Sequence, residues 1–89
     1  MRLMKLNKNF LLHNTEDEAI LVPTGRADFS GVVRGNRTLG AVLELLKTET
    51  TEEAVVTAMR ERFDAPKDAV ENDVAKVLSE LRKIGALDE

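Results

Sequence analysis

Phe29-Ser30-Gly31-Val32-Val33-Arg34 is the run at which the character of the chain changes. Before it lie two apolar stretches separated by turn residues; after it come three helical patterns and little else. The run therefore reads as a short strand at the seam between a sheet and a set of helices, feeding straight into the first helix. A strand at such a seam can keep one edge unpaired. An unpaired edge offers a row of backbone N–H and C=O groups, which is either an aggregation hazard or a place for an extended peptide to add as a further strand. Alternation puts Phe29, Gly31 and Val33 on one face and Ser30, Val32 and Arg34 on the other. Neither face is purely apolar, so the pattern leaves the register open.

Upstream, Phe10-Leu11-Leu12-His13 can pair with Ala19-Ile20-Leu21-Val22 across the polar loop Asn14 to Glu18. Pro23 closes the second strand because it has no N–H for a ladder bond. Pro23-Thr24-Gly25 then reads as a turn, and Arg26-Ala27-Asp28 as the connection back to Phe29. Three short antiparallel strands result. The segment before them, Met1 to Leu6, is basic and apolar but is broken by Asn7, Lys8 and Asn9 well short of a signal-peptide core or a membrane span. It reads as an ordinary soluble start.

Downstream, Gly35-Asn36 breaks the strand, and Asn36 can cap a helix whose apolar residues Leu39, Val42, Leu43 and Leu46 recur at three and four, with Leu45 widening the stripe. Gly40 inside that helix points to close packing or to a tolerated glycine. Thr50-Thr51-Glu52-Glu53 has the T-x-x-E spacing of a capping box. The second helix it opens should bury Ala54, Val55, Ala58, Met59 and Phe63 and finish near Phe63. Pro66 suits a first helical position, so the third helix is expected from Pro66 to Ile84, roughly 28 Å at about 1.5 Å per residue. Val70, Val74, Val77, Leu78, Leu81 and Ile84 form its core arc. Gly85 is placed to end it.

Eighty-nine residues fit one domain, 1–89, with a small core. The fold class expected is α+β: a small winged-helix-like domain with a three-stranded antiparallel sheet followed by three helices. There is no cysteine and one histidine, His13, which excludes disulfides, thiol chemistry and histidine clusters. A cytoplasmic setting is the natural reading, with no membrane partner. The net charge of −3 is uneven, since residues 1–40 carry six Lys/Arg against four Asp/Glu and residues 41–89 carry seven against twelve. An acidic helical half repels a phosphate backbone.

No catalytic constellation assembles. The carboxylates fall mostly on outward helix positions, Ser30 and Ser79 lack a nucleophile-elbow setting, and the glycines form neither a dinucleotide fingerprint nor a P-loop. The chain is therefore read as a non-enzyme without metal or cofactor. A winged-helix DNA-binding regulator is the alternative, and the third helix decides against it. Its solvent side offers Lys67, Lys76, Arg82 and Lys83 against Asp68, Glu71, Asp73 and Glu80, with no basic stripe. What is left from the residues alone is a peptide-binding module using the Gly31 to Arg34 edge and a flank of the last helix, set against Val32 and Val33 being sheet residues and nothing more.

The order of motifs resembles one family over nearly the whole chain, from about Leu6 to Leu87. It runs Phe10 with Leu11-Leu12, then Ala19 to Val22, then Phe29 to Asn36 leading into Leu39-Gly40-Ala41-Val42-Leu43-Glu44-Leu45-Leu46. Thr51-Glu52-Glu53-Ala54-Val55, Phe63-Asp64, Asn72-Asp73-Val74, Leu78, Leu81 and Gly85-Ala86-Leu87 follow. This looks like the coenzyme PQQ synthesis protein D (PqqD) family. The resemblance implies a RiPP recognition element, a winged-helix-like peptide chaperone for biosynthesis of ribosomally made peptides. Such a domain binds the leader segment of a precursor peptide and presents it to a modifying enzyme, a radical SAM protein among the candidates. It implies strand addition on Gly31, Val32, Val33 and Arg34, in a groove completed by the third helix. The helical wheel puts Asp73, Val77 and Glu80 on one flank and Lys67, Glu71, Leu78 and Arg82 on the other; the first is taken as the peptide-binding flank. Homodimerisation through the same edge is the remaining use of that strand. Two departures stand out: Gly35-Asn36 where the family often has Leu-Asn, and Thr48-Glu49-Thr50 where it often has Asp-Gly before a threonine.

Overall fold

The computed structural model describes residues 2–25 and 31–89. In chain order the elements are β1 (Lys5–Leu6), β2 (Phe10–Asn14), β3 (Ala19–Pro23), β4 (Val33–Gly35), α1 (Arg37–Leu45), α2 (Glu52–Arg62), α3 (Lys67–Lys83) and β5 (Leu87–Asp88). This is the α+β arrangement read from the sequence: an antiparallel sheet in the order β2-β3-β4, then three helices. The expected run 26–30, including Phe29 and Ser30, lies outside the described residues.

The hairpin forms because its alternation divides two environments. Phe10, Ala19 and Leu21 are buried against the helices, while Leu11 and His13 face outward. The β4 strand is shorter than expected and shifted: Gly31 and Val32 precede it, and Gly35, taken as a breaker, belongs to it. Pro23 supplies the reason. The β3–β4 register pairs Ala19 with Gly35 and Leu21 with Val33. The next partner in step on β3 is Pro23, which has no N–H to give. The ladder stops at Val33, and Gly31 turns away with φ 125°, a conformation open to glycine.

Each helix begins and ends for a local reason. The Asn36 side chain accepts the Leu39 N–H at 3.2 Å and so caps α1 as expected. For α2 the cap is Thr51, whose hydroxyl accepts the Ala54 N–H at 3.1 Å, rather than the Thr50–Glu53 box. Thr50 is committed elsewhere, exchanging backbone bonds of 2.7 and 2.9 Å with Met4. Ala54 is consequently exposed, and Val55 and Met59 carry the buried face. Pro66 stands at the N-cap of α3 with extended ψ 148°, one position before its expected place, and Ile84 is the C-cap. Gly85, at φ 73°, then closes α3 with both bonds of a Schellman motif: Gly85 N–H to Arg82 C=O at 3.2 Å and Ala86 N–H to Leu81 C=O at 2.9 Å.

The core joins both ends of the chain. Met4, Leu6, Phe10, Leu21, Val42, Leu43, Leu46, Val55, Met59, Val74, Leu78, Leu81 and Ala86 form one buried cluster. Met4 is 2% exposed, so the N-terminal segment is a wall of the core and not a loose start. It is held by β1 pairing with β5, Lys5 opposite Asp88 and Leu6 opposite Leu87, and by Leu6 N–H to Leu46 C=O at 2.8 Å. Gly40 is buried where α1 meets β2; a methyl there would come to 2.5 Å from the Asn14 carboxamide oxygen, so the Asn14 side chain would have to move to admit it. No helix among the described residues is long and apolar enough to cross a membrane.

Candidate functional site

Among the described residues β4 is bonded on one side only, so it is an edge of the three-stranded sheet. Which of its groups face outward follows from the phase of the ladder. In antiparallel pairing, directly opposed residues alternate between exchanging two hydrogen bonds and exchanging none. Thr15 N–H to Glu18 C=O and Thr24 N–H to Asn9 C=O, both 2.8 Å, fix that phase at the two ends of the hairpin. Ile20 and Val22 therefore bond toward β2, and Ala19 and Leu21 toward β4. Val33 and Gly35 spend their backbone groups on β3, and Arg34, opposite Ile20, turns its N–H and C=O to the open side.

Beside this edge lies a groove of about 340 Å³ between β4 and α3, lined by Val33, Arg34, Leu39, Lys76, Val77, Glu80, Leu81 and Ile84. Val33, Val77 and Ile84 are each half-buried, apolar surfaces neither sealed in the core nor freely solvated. A second hollow continues the groove toward the start of α1, between Asn36, Thr38, Leu39, Asp73, Lys76 and Val77. The flank Asp73–Val77–Glu80 thus turns toward the strand. Lys67 and Glu71 face α2 instead, across a cleft that also holds Val56 and Arg60.

The sequence-derived candidates divide accordingly. Val33, Arg34, Val77 and Glu80 share the main groove, and Asp73 sits in its continuation. Gly31 and Val32 lie just before the strand; Val32 is 53% exposed. Leu39, Lys76, Leu81 and Ile84 also line the groove but were read as core or surface positions. The signal for Ile84 was its place one heptad after Val77, at the margin of the core arc. Leu39 enters because of Gly35: a Cβ there would collide with the Leu39 side chain, so the leucine lies over the glycine and fills the strand-to-helix corner. The corner that a missing leucine at position 35 leaves open is closed from the helix.

The charges around the groove are exposed. Arg34 Nε is 3.7 Å from Glu18 Oε1, and Lys83 Nζ is 3.5 Å from Glu80 Oε1. In the same last turn of α3, outside the groove lining, Arg82 makes the tightest ion pair described here, Nη2 to Glu89 Oε1 at 2.7 Å, with Nε at 2.8 Å from the same oxygen. That hydrogen bond, with the attraction between the charges, lowers the Glu89 carboxyl below its ordinary value and raises Arg82. Among the described residues no three acidic or histidine side chains converge to hold a metal ion.

Fold and edge together define a small winged-helix-like α+β domain with an open third strand beside its last helix. The profile of the coenzyme PQQ synthesis protein D (PqqD) family matches residues 18–87, and the chain belongs to that family. Two solved structures are similar to it across almost their whole length. One is TbiB1 in complex with the TbiA(beta) leader peptide, 18% identical, covering 94% of each chain with a TM-score of 0.78. The other is lasso peptide synthetase B1 complexed with the leader peptide, 14% identical, covering 97% of this chain and 98% of that one with a TM-score of 0.75. No match to a curated protein was found.

Proposed function

We propose that this domain is a RiPP recognition element that binds the leader segment of a ribosomally made precursor peptide as a strand added to β4, and presents it to a peptide-modifying enzyme without itself catalysing a reaction. The observation that carries the reading is the outward-turned Arg34 N–H and C=O beside the half-buried apolar groove of Val33, Val77 and Ile84. Backbone pairing along such an edge gives affinity, and alternate side chains entering the groove give specificity. Gly31 and Val32 lead the chain into the edge, and Asp73, Val77 and Glu80 form the facing wall. Both structural neighbours are leader-peptide complexes, which supports the same reading. The helix charges speak against nucleic acid: Lys67, Arg82 and Lys83 each stand within 4 Å of a carboxylate, Lys67 at 3.6 Å from Glu71.

The test is an amide NMR titration of labelled protein with a synthetic leader peptide and, separately, with duplex DNA. Peptide should shift Val32 to Gly35 and the Asp73–Glu80 flank. Shifts of α3 by DNA alone would replace this reading with a DNA-binding one. Arg34→Pro deletes the outward N–H and should abolish the peptide shifts while Val33 and Gly35 keep their exchange protection, because their bonds run to β3. Arg34→Ala keeps the N–H and should weaken binding at most about fivefold.

A further inference from the structure

We infer that the groove takes a peptide in which an acidic residue stands next in sequence to an apolar anchor, with Arg34 receiving the acid. The inference rests on the strand-addition reading and adds the chemistry of the occupant. A strand added to β4 continues the sheet, so its side chains alternate between the two faces. The residue opposite Val33 points to the Val33 side, into the groove walled by Val77, Leu39 and Ile84. Its neighbour opposite Arg34 points to the other face and lies beside the guanidinium.

That guanidinium is poorly satisfied at home. Its side chain is 71% exposed, and its ion pair with Glu18 is a long contact, 3.7 Å, through Nε. Among the described residues no ion pair reaches its two terminal nitrogens, and arginine binds a carboxylate best in a two-pronged geometry. The other charged groups around the groove do not cancel this preference. Glu80, on the helix wall, has Lys83 at 3.5 Å, and Lys76 lines the same groove without an ion pair among the described residues. Asp73 lies a turn further along, in the adjoining hollow beside Lys76. Of the charged groups that line the main groove, Arg34 and Lys76 are cations, and the one acid, Glu80, has Lys83 as its counter-ion. Cross-strand neighbours of opposite charge stabilise a sheet and like charges oppose it.

The probes are synthetic peptides of about twelve residues, with Glu-Leu-Val or its reverse Val-Leu-Glu at the centre of a Ser/Thr host, and versions with Gln or Lys replacing Glu. Binding is followed by the same amide shifts, so location and affinity are read together. In one order or the other, Glu should bind about two- to fivefold more tightly than Gln, and Lys more weakly still. Arg34→Glu should invert the ranking of the Glu and Lys peptides. Glu18→Gln, which frees the guanidinium, should strengthen binding of the Glu peptide and leave the Gln peptide unchanged. Binding at β4 and α3 whose ranking is the same in both orders and indifferent to Arg34→Glu would overturn the acid preference and leave strand addition standing. Absence of shifts at β4 with every peptide would overturn both.

Discussion

Gly35 is neither a flexible joint nor a strand breaker; it is a vacancy that Leu39 uses. A methyl at position 35 would meet the Leu39 Cβ at 2.9 Å, and the Leu39 side chain beyond it more closely still. Leu39 cannot step aside without turning into the groove or lifting the first turn of α1. Gly35→Ala is expected to destabilise the fold by about 1–3 kcal/mol, the usual range for overpacking, and to weaken peptide binding. Urea unfolding and the titration described above would show it, and an unchanged midpoint would mean that the corner is slack. The same scale shows what alternation alone cannot resolve. Val32 and Val33 look equivalent on paper, and a proline at either would serve as the same test of an edge. The ladder separates them: Val33 spends its N–H on β3, so a proline there would break the sheet rather than the binding edge.

At the scale of elements, the legible parts were those with long repetition or strong end signals. Seventeen residues of α3, with Val70, Val74, Leu78 and Leu81 on one arc, could not be read as anything but a helix. Asn36 and Gly85 carried the start of α1 and the end of α3 in their own chemistry. The capping of α2 was off by one because Thr50 and Thr51 are interchangeable in sequence, and only the distant Met4 decides between them. The β1–β5 pair was invisible for a related reason: two-residue strands hold too few positions for a period, although Met4 and Leu6 buried around exposed Lys5 do alternate. That pair is latched beside the Arg82–Glu89 ion pair. The Glu89 carboxyl lies below its ordinary 4.5, so the contact stabilises the folded state above that pH and is lost as pH falls through the lower, folded-state value. Carboxyl NMR titration should give a Glu89 midpoint below 4.5, restored toward it by Arg82→Gln; a midpoint at 4.5 in the parent protein would show that the pair does not persist in solution.

For the molecule as a whole, the groove depends on residues far from it. Strand β4 has its place because β3 packs against α1 with Leu21 in the core, and Met4, Leu6 and Ala86 belong to the same buried cluster as the core face of α3. In a domain this small, one core residue is a large fraction of the total stability. Met4→Ala is expected to lower stability by about 2–5 kcal/mol in urea unfolding, although the first six residues read in sequence only as an ordinary soluble start. A loss under about 0.5 kcal/mol would show that the N-terminal wall is not part of the cooperative unit. The candidate site was half legible on the same grounds: its strand and helix could be named from order and period, whereas the helix flank turned toward the strand is a property of three-dimensional packing.

The register of β4 bears on what the protein does when no partner is present. An edge free to bond is free to bond to its own kind, yet this one is short, cut off at Val33 by Pro23, and carries a cation at its centre. Two copies meeting antiparallel about Arg34 would set guanidinium against guanidinium on one face, an arrangement that repels. An arginine placed to receive a carboxylate would thus also disfavour a twin, and a concentrated solution of the free domain should stay monodisperse while its edge stays open.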